Sequence, residues 1–462
     1  MSGEVQIQSF DHLNILFQEK LSDSSLYHGS RFSYLKIFQH ALTYEQAGAD
    51  YRILKNYLHW PLQAQKLILQ IKAFRSKKRS NLALREIVFI DPARIVCDSS
   101  GGWHSIYMER CIDLFESSRV TTLNRKAEPR LHCDASLASM TRSFGVPDKI
   151  ELELLEEVSV IAHRTLQSHD WSEKQKAHIL SALHVFFDDF RFYYALFQKQ
   201  PVKSVVFISH YHNEGLIAAL NILGIRSIEL QHGLISGNDL YYQYPSVFKE
   251  GVRNAFFPDQ ICVYGNYWKE LLLKGIEFDT SSITVTGDYQ WQPDATPHAT
   301  IQQQQVLICA QKNMHAEYVA YAQRLKPWMA KHPEWQWVIK MHPLEKNKEL
   351  YRALEKDGFV IMDAERPLSE LLRESRIQIS IYSTTFYDAL GYDISNYSLQ
   401  AYSIYKDYAA QMVTEGVAQP LHIDEDPIQK HLQSTGSESL RSREEVYAPF
   451  DAKAIRAAIA GR

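Results

Sequence analysis

Polar residues cluster at four places in the chain, each directly after an apolar run with the length and composition of a buried strand. In open parallel α/β sheets, ligands bind at the carboxyl ends of the strands, so chemistry is expected at these clusters. The clusters consist of His210, Tyr211, His212 and Glu214; Gln231, His232 and Gly233; Lys340, His342 and Pro343; and Tyr382, Ser383, Thr384 and Thr385.

The segment KMHPLEK favours contact with a phosphate group. Lys340 and His342 stand two positions apart at a predicted strand end, and Pro343 fixes the turn that follows. Both side chains therefore emerge from one end of the strand, where a lysine cation and an imidazole N–H can neutralise a leaving phosphate or diphosphate. The alternative is a surface histidine beside a turn proline.

The segment YSTTFYDAL indicates a second anion contact. Ser383, Thr384 and Thr385 follow an apolar strand and open a predicted helix, so their hydroxyls lie beside free backbone N–H groups at the positive end of a helix dipole. Such an arrangement binds anions without a metal, although Ser and Thr caps also occur for structural reasons alone. Asp388, one turn later, is a candidate acceptor for a ribose hydroxyl or else an exposed helix carboxylate.

The segment ELQHGLISGND contains a candidate catalytic histidine. His232 precedes Gly233, which permits close approach of a ligand to the backbone, and Asp239 lies in the loop that follows. Glu214, near a predicted helix start, is a candidate general base for an acceptor hydroxyl. The alternative for an isolated histidine is a packing or surface role.

The motifs HYH and DSSGGWHS offer further ligand contacts. Gly101 and Gly102 precede a predicted helix, and with His210, His212 and Gln231 they form the candidate set for an acceptor or phosphate loop. The two histidines lack the additional His or Cys neighbours of a metal site, so no metal is expected. The chain contains no G-x-G-x-x-G, G-x-x-x-x-G-K-[ST] or G-x-S-x-G motif, and no cofactor is expected.

Strands that alternate with helices must position these clusters. Residues 86–118 indicate strand, loop and helix, residues 150–200 two long helices, and residues 204–289 repeated βαβ units. The α/β pattern restarts at residue 306, after a polar segment with two prolines and four consecutive glutamines. The fold class expected is therefore α/β, with two doubly wound parallel-sheet domains that face a central cleft.

The composition excludes several classes of protein. A chain of 462 residues with 45% hydrophobic and 23% charged residues is neither disordered nor fibrous, and its net charge of −4 gives no general attraction to nucleic acid. Five cysteines at least 14 positions apart predict no disulfide framework. No apolar run approaches the ~20 residues that span a bilayer, so a cytoplasmic protein is expected.

Residues 66–85 hold seven basic residues and no acidic one. The interpretation we favour is a solvated helix end or loop. The alternative is a docking patch for anionic lipid headgroups, which would place the protein peripherally at the inner face of the membrane.

The order of motifs IELQHGLI, VTGDYQ, VIKMHP and SIYSTTFYDAL resembles that of bacterial GT-B glycosyltransferases of surface-polysaccharide assembly. This group includes Kdo transferases, bacterial sialyltransferases and teichoic-acid glycerophosphotransferases. The resemblance covers about residues 203–400. It implies a GT-B-like fold, with an acceptor-side α/β domain with helical insertions at 1–290, a linker at 291–305 and a donor-binding domain with terminal helices at 306–462.

The resemblance also implies roles for individual residues. His342, Pro343, Ser383, Thr384 and Thr385 match the positions that hold the phosphate and ribose of a cytidine-nucleotide donor, and His232 matches a histidine that acts in the chemistry. The acidic triplet that supplies the base in sialyltransferases is replaced here by Asn213, Glu214 and Gly215. Asp239 is the second candidate carboxylate, as a base or a nucleophile.

The expected function is metal-independent transfer of a sugar from a nucleotide-activated donor, with a CMP-linked donor favoured, to a surface glycan or lipid-linked acceptor. Two alternatives stay open. One is transfer of a polyol phosphate from a CDP-linked donor, and the other is a non-catalytic protein that binds glycan or nucleotide.

Overall fold

The structure is a computed structural model, and the statements below concern the residues that it describes. These are residues 34, 36–38, 41, 62–66, 69, 82–97, 101–126, 128–131, 133–138, 140, 146–167, 171–235, 242, 256–275, 280–290, 303–312, 314–343, 345–363, 366–390, 392, 394–400, 406–433 and 441–461. The chain divides into two compact units, Met1–Ala295 with Tyr447–Arg462, and Thr296–Val446.

The first unit is built on a seven-stranded sheet with strand order β5-β4-β1-β6-β7-β8-β9, in which all pairs are parallel. The strands and helices are β1 (Ile87–Asp91), β2 (Ile95–Cys97), β3 (Trp103–Ser105), α1 (Glu109–Ile112), β4 (Val120–Asn124), β5 (Ala135–Ser136), α2 (Lys149–Gln167), α3 (Glu173–Phe197), β6 (Ser204–Ile208), α4 (Glu214–Leu223), β7 (Arg226–Leu230), β8 (Gln260–Val263), α5 (Asn266–Gly275) and β9 (Ile283–Val285).

Apolar side chains of the central strands and three helices form the core on one face of this sheet. Val88 and Ile90 of β1 and Phe207 of β6 pack in one buried cluster with residues of α2, α3 and α4. These strands form because their runs of β-branched and aromatic residues are buried along their whole length. A capping box between Ser172 and Gln175 begins α3.

The second unit contains a six-stranded parallel sheet with the order β12-β11-β10-β13-β14-β15. Apolar clusters cover both faces of this sheet. Its elements are β10 (Gln305–Cys309), α6 (His315–Lys331), β11 (Gln336–Lys340), α7 (Lys348–Arg352), β12 (Val360–Met362), α8 (Leu368–Glu374), β13 (Ile377–Ser380), α9 (Thr385–Ala389), β14 (Ser395–Leu399), α10 (Lys406–Thr414), β15 (Gln419–Leu421), α11 (Pro427–Gln433) and α12 (Arg443–Val446).

The expected pair of parallel-sheet α/β domains is confirmed by these strand pairings. In both sheets the strand order runs outward in two directions from the first strand, β1 or β10, which is the doubly wound arrangement. In the described part of the chain, no helix is long and apolar enough to cross a membrane.

The C-terminal segment differs from the expected domain boundaries. Residues 447–462 belong to the first unit, where the sequence had placed them in the second. The last helix, α13 (Ala452–Ala460), packs there because its apolar face, with Ile455 and Ile459, is fully buried. Backbone carbonyls of α13 also accept hydrogen bonds from Ser204 Oγ at 2.7 Å and Arg226 Nε at 2.9 Å.

The segment after β1 also differs from its prediction. Gly101 and Gly102 lie in the connection of an antiparallel hairpin, β2 to β3, and not at the start of a helix. The helix expected over residues 106–118 is reduced to the four residues of α1. In the described part of the chain, these two glycines therefore do not stand at a helix N-terminus.

A substitution at Gly287 tests the packing of the C-terminal segment against the turn that contains this residue. Gly287 has φ +74°, and a Cβ there would stand 2.0 Å from the carbonyl oxygen of Pro449. We expect Gly287→Ala to lower the free energy of unfolding by about 3 kcal/mol or more, because a left-handed backbone and a collision with another backbone act together. Urea unfolding followed by circular dichroism measures the change.

Gly224→Ala is the matched control. Gly224 has φ +66° at the end of α4, but a Cβ added there would meet no atom within 4 Å, so only the conformational cost of about 1 kcal/mol is expected. Equal losses in the two variants would contradict the packing of residues 447–450 on the Gly287 turn.

Candidate functional site

The candidate site of the first unit lies at the carboxyl ends of β1, β6 and β7. The strand order reverses between β1 and β6, because β4 and β5 lie on one side of β1 and all later strands of the sheet on the other. Crevices for ligands form at such reversal points. Ser209 follows β6 and His232 follows β7, so the two residues stand on neighbouring strands.

His232 contacts two hydroxyl groups and the aromatic rings of Tyr107 and Tyr211. The Tyr211 hydroxyl lies 3.1 Å from Nε2, and the Tyr107 ring meets the imidazole edge to face with centroids 6.3 Å apart. Ser209 Oγ is nearly equidistant from the two ring nitrogens, at 3.3 and 3.4 Å. The serine hydroxyl is thus not aligned with one nitrogen, as a serine nucleophile activated by histidine would be.

The environment of His232 keeps its imidazole neutral. Burial lowers the pKa of His232 to about 4, and the positive charges of Arg94, His210 and Arg125 act in the same direction. The negative charge of Glu229 opposes the shift without cancelling it. A neutral imidazole at physiological pH can accept a proton or a hydrogen bond from a substrate hydroxyl.

A buried ion pair lies beside this histidine. His210 Nδ1 and Glu229 Oε2 are 2.6 Å apart, both side chains are fully buried, and the Tyr242 hydroxyl donates to Glu229 Oε1 at 2.7 Å. Burial alone would raise the pKa of Glu229, but His210, Tyr242 and His232 together bring this pKa below its ordinary value. The His210 ring, an expected ligand contact, is enclosed in this structure and bonded to Glu229.

Lys36 supplies a second buried cation near this pair. Its Nζ donates to the carbonyl oxygens of Phe256 at 2.9 Å and His210 at 3.4 Å, and burial lowers the pKa of Lys36 to about 8 although Glu214 and Glu229 attract its charge. The lysine therefore ties a residue of the N-terminal region to the turn after β6.

The turn between β6 and α4 contains two strained residues. Ser209 and His212 adopt φ of 61° and 65°, in the left-handed region that residues other than glycine rarely occupy. Glu214 begins α4, is almost fully buried, and accepts a hydrogen bond from the His212 backbone N–H at 3.3 Å. The Glu214 carboxylate is thus held at the helix start, while the His212 side chain is exposed.

Gln231, an expected ligand contact, makes internal hydrogen bonds with both ends of its side-chain amide. Its Oε1 accepts from the Tyr264 backbone N–H, and its Nε2 donates to the Gly233 carbonyl, both at 2.9 Å. The Tyr289 hydroxyl donates to the Gln231 carbonyl at 2.5 Å. The amide is occupied at both ends and fully buried, so it fixes the loop that carries His232. The remaining candidate of this loop, Asp239, lies outside the described residues.

The second unit places its predicted residues along the carboxyl edge of β10, β11 and β13. His342 follows β11 and Ser383 follows β13, and β10 lies between these two strands. Two strand spacings separate the two positions, about 10 Å. His342 and Ser383 are half-buried, and Pro343 and Thr384 are exposed.

Lys340 is committed to internal contacts. Its Nζ donates to the carbonyl oxygens of Asp363 and Arg366, the latter at 2.6 Å, and its side chain is almost buried. Burial lowers the pKa of Lys340, with Arg366 acting in the same direction. Two of the three ammonium donors therefore bind the carbonyl oxygens of Asp363 and Arg366, and at most one is left for a phosphate.

The Ser/Thr cluster forms a short turn with a less regular cap than predicted. Thr384 is the N-cap of α9 but its side chain makes no cap hydrogen bond, whereas Ser383 Oγ accepts from the Thr385 backbone N–H at 3.2 Å. Thr385 Oγ1 accepts from Gln378 Nε2 at 2.6 Å and so faces the sheet. Asp388 is half-buried, one turn later in a helix of only five residues.

Several residues of the first site have no distinctive sequence signal. Arg94, Tyr107 and Arg125 approach His232 from the hairpin and from the end of β4, and Ser209 and Glu229 come from β6 and β7. Only their positions next to predicted strand ends could have pointed to them. Among the described residues, no group of three or more His, Cys, Asp or Glu side chains could hold a metal ion.

Comparison with known proteins gives structural similarity without sequence similarity. No protein-family model and no curated protein matches the chain. A UDP-GlcNAc 2-epimerase from Neisseria meningitidis, solved with UDP-GlcNAc bound, is 12% identical and aligns over 81% of this chain and 97% of its own, with a TM-score of 0.45. The fold assignment rests on the strand pairings of this chain and not on such similarities.

Two glycosyltransferase structures have similarly low sequence identity to this chain and similar coverage. MurG from Acinetobacter baumannii is 14% identical, and the lipopolysaccharide outer core galactosyltransferase WaaB is 12% identical. Each alignment covers 81% of this chain, with 98% of MurG and 99% of WaaB, and both TM-scores are 0.39.

The lowered pKa of His232 predicts a pH dependence of stability. The folded chain protonates this ring only near pH 4, whereas the unfolded chain does so near pH 6.5, so the stability that depends on neutral His232 is lost as the pH falls from 6.5 toward 4. Between pH 7 and pH 5, we expect the wild type to lose up to about 2 kcal/mol more than His232→Gln in urea unfolding. Titration of this ring near pH 6.5 by NMR would contradict the assignment.

Lys340→Met tests the internal role of that lysine. Because two partly buried carbonyl oxygens lose a charged donor, we expect the free energy of unfolding to fall by about 2 kcal/mol. Lys348→Met is the control, since this half-exposed lysine pairs with Asp363 Oδ1 at 3.2 Å and should contribute less than about 1 kcal/mol. Unchanged stability in Lys340→Met together with lost nucleotide binding would show that Lys340 contacts the ligand instead.

Proposed function

We propose that the protein transfers a sugar from a nucleotide-activated donor to a hydroxyl group of an acceptor. The observation that supports this most is the neutral imidazole of His232 at the carboxyl end of β7, with the Tyr211 hydroxyl 3.1 Å from Nε2. Sugar transfer requires a proton acceptor of this kind for the attacking hydroxyl.

In the proposed reaction, the oxygen of the acceptor hydroxyl forms a bond to the anomeric carbon of the donor sugar. The bond between that carbon and the phosphate oxygen breaks, and the nucleotide leaves with the electron pair. The hydroxyl proton passes to His232. Tyr211 orients the imidazole through Nε2, and only the Ser209 hydroxyl, at 3.4 Å, comes within hydrogen-bond distance of Nδ1 among the described residues.

The low pKa of His232 in the free protein suits binding of an anionic substrate group. Arg94 and Arg125 both contribute to the low pKa, so an anion bound beside them would offset part of their repulsion and raise the basicity of the ring. A base is most effective when its pKa lies near the working pH. Glu214, held at the start of α4, is the alternative base, and Asp239 stays a candidate as base or nucleophile.

The donor is assigned to the second unit. His342 and Ser383 flank the end of β10, the strand from which the order of that sheet runs outward, and Pro343, Thr384, Thr385 and Asp388 lie beside them. An imidazole donor and the N–H groups of the Ser383 turn can stabilise the negative charge on a leaving phosphate without a metal. Lys340 would support this site mainly through its hydrogen bonds to the carbonyl oxygens of Asp363 and Arg366.

The finer assignment rests on the motif resemblance. A CMP-linked donor is favoured over a UDP-linked one, and a surface glycan or a lipid-linked sugar is the proposed acceptor. Residues 66–85, the candidate patch for membrane contact, lie mostly outside the described residues. A cytoplasmic location is the corresponding proposal.

A donor panel tests the proposal directly. Purified protein is incubated with a CMP-linked sugar, a UDP-linked sugar or CDP-glycerol, and nucleotide release is measured with a mixture of glycan acceptors. We expect release of CMP from the CMP-linked sugar. Release of CMP only from CDP-glycerol would indicate polyol-phosphate transfer, and tight binding of a nucleotide without release from any donor would indicate a non-catalytic protein.

Substitution of the two histidines separates their roles. We expect His232→Gln to lower kcat by about 10²-fold or more with little change in donor KM, because the proton acceptor is lost. His342→Gln should raise donor KM and lower kcat, since it contacts the leaving phosphate. His422→Gln, at an exposed position of the second unit, is the control and should retain wild-type kinetics. Wild-type turnover in His232→Gln would overturn the catalytic assignment.

A further inference from the structure

The side chain of Asn124 is buried and unsatisfied at the edge of the candidate site. Asn124 is the last residue of β4, pairs in register with Asp91 of β1, and is fully buried. Neither Oδ1 nor Nδ2 has a hydrogen-bond partner among the described residues. Buried amides are nearly always paired, so this one calls for a partner.

The polar groups around Asn124 are, by contrast, engaged. The Asn124 carbonyl accepts from the Leu137 N–H at 2.8 Å, and Asp91 Oδ1 accepts from the Ala93 N–H at 2.6 Å. Arg125, the next residue, donates from Nη2 to Asn213 Oδ1. The Asn124 carbonyl, Asp91 Oδ1 and Arg125 Nη2 are thus satisfied, whereas the Asn124 amide is not.

The position of Asn124 places it on the same sheet edge as His232. Leu123 and Ile90 both belong to the core cluster of α2, α3 and α4, so Asn124 and Asp91, the next residues of their strands, lie on the opposite face. The strands β4, β1, β6 and β7 are consecutive neighbours, so three strand spacings, about 15 Å, separate Asn124 from His232.

The two residues that follow Asn124 in the chain are increasingly exposed. Arg125 is half-buried and Lys126 is exposed, so the amide lies one residue below the exposed edge of the sheet. On the other side, Ala93 is held at φ 58° in the loop that follows Asp91. Because Asn124 is fully buried, a ligand that enters along the carboxyl edge must displace part of the cover of this amide.

From these observations we infer that Asn124 forms a subsite for a sugar unit of the acceptor. An amide offers one acceptor and two donors in a plane, and its complement is a group that presents a donor and an acceptor side by side. Two adjacent hydroxyls of a sugar ring or the carboxamide of an acetamido sugar provide this pair. The inference rests on the proposed function and extends it by placing the acceptor chain along β4, β1, β6 and β7.

Isosteric replacement by leucine separates this role from a structural one. Asn124→Leu removes an unsatisfied buried amide from the free protein and keeps the side-chain volume, so the melting temperature should stay unchanged or rise. If the amide binds a sugar, the same change leaves ligand groups unpaired, and we expect at least a tenfold loss of sugar affinity. In this variant, the affinity for sugar should therefore fall while the melting temperature stays unchanged or rises.

Gln260→Met is the matched control. Gln260 lies at the amino end of β8 in the same sheet and is almost buried, but its amide is satisfied by Thr284 Oγ1 at 2.9 Å and Arg226 at 3.1 Å. This variant should melt at a lower temperature and bind sugar as the wild type does.

Binding is measured by saturation-transfer NMR with methyl glucoside and methyl N-acetylglucosaminide, and stability by thermal unfolding. Preference for the first probe would identify a hydroxyl pair as the partner, and preference for the second a carboxamide. The inference is overturned if the wild type binds neither probe, if Asn124→Leu binds both unchanged, or if the variant melts well below the wild type, as it would if the amide held only an internal water.

The same experiment distinguishes this inference from the proposed function. Loss of sugar binding in Asn124→Leu, together with no turnover of any donor by the wild type, would support a sugar subsite and overturn sugar transfer. Turnover by the wild type with unchanged acceptor KM in Asn124→Leu would support sugar transfer and overturn the subsite.

Discussion

Hydrogen bonding between parallel strands constrains where this chain can place polar side chains. All strands within each of the two large sheets run in the same direction, so their carboxyl ends collect at one edge. The registered pairs Asp91 with Asn124 and Ile208 with Leu230 bring the ends of β4, β1, β6 and β7 side by side. Because the central strands are buried on both faces, this edge is the natural place for charged and hydroxyl groups.

The pair Glu229–His210 is an exception to the placement of charged groups at the sheet edge. Glu229 lies inside β7 and has no accessible surface. An isolated carboxylate at this depth would be costly, but His210 and Tyr242 occupy its two oxygens. The pair also links three segments, the turn after β6, strand β7 and residue 242. This linkage fixes the turn that carries Ser209 and Tyr211, whose hydroxyl groups both contact His232.

The two sheet edges use their positive charges differently. At the first edge, Arg94 and Arg125 lie close enough to His232 to disfavour its protonation, and no carboxylate forms an ion pair with either arginine among the described residues. At the second edge, Lys340 points to the carbonyl oxygens of residues 363 and 366. The first edge therefore retains cationic groups that can contact a ligand. At the second edge, the lysine mainly makes hydrogen bonds within the protein.

The local pattern of apolar and polar residues in the sequence determined much of the fold of this protein. The alternation of apolar runs with amphipathic segments predicted the parallel sheets, both long helices and the strand ends that carry His232, His342 and Ser383, because burial and helical periodicity are properties of neighbouring residues. Tertiary structure decided the rest. It enclosed His210 and Gln231, turned Lys340 inward and placed α13 in the first unit. It also left the Asn124 amide without a hydrogen-bond partner among the described residues. Each of these outcomes depends on hydrogen-bond partners and packing surfaces that lie far away in the sequence.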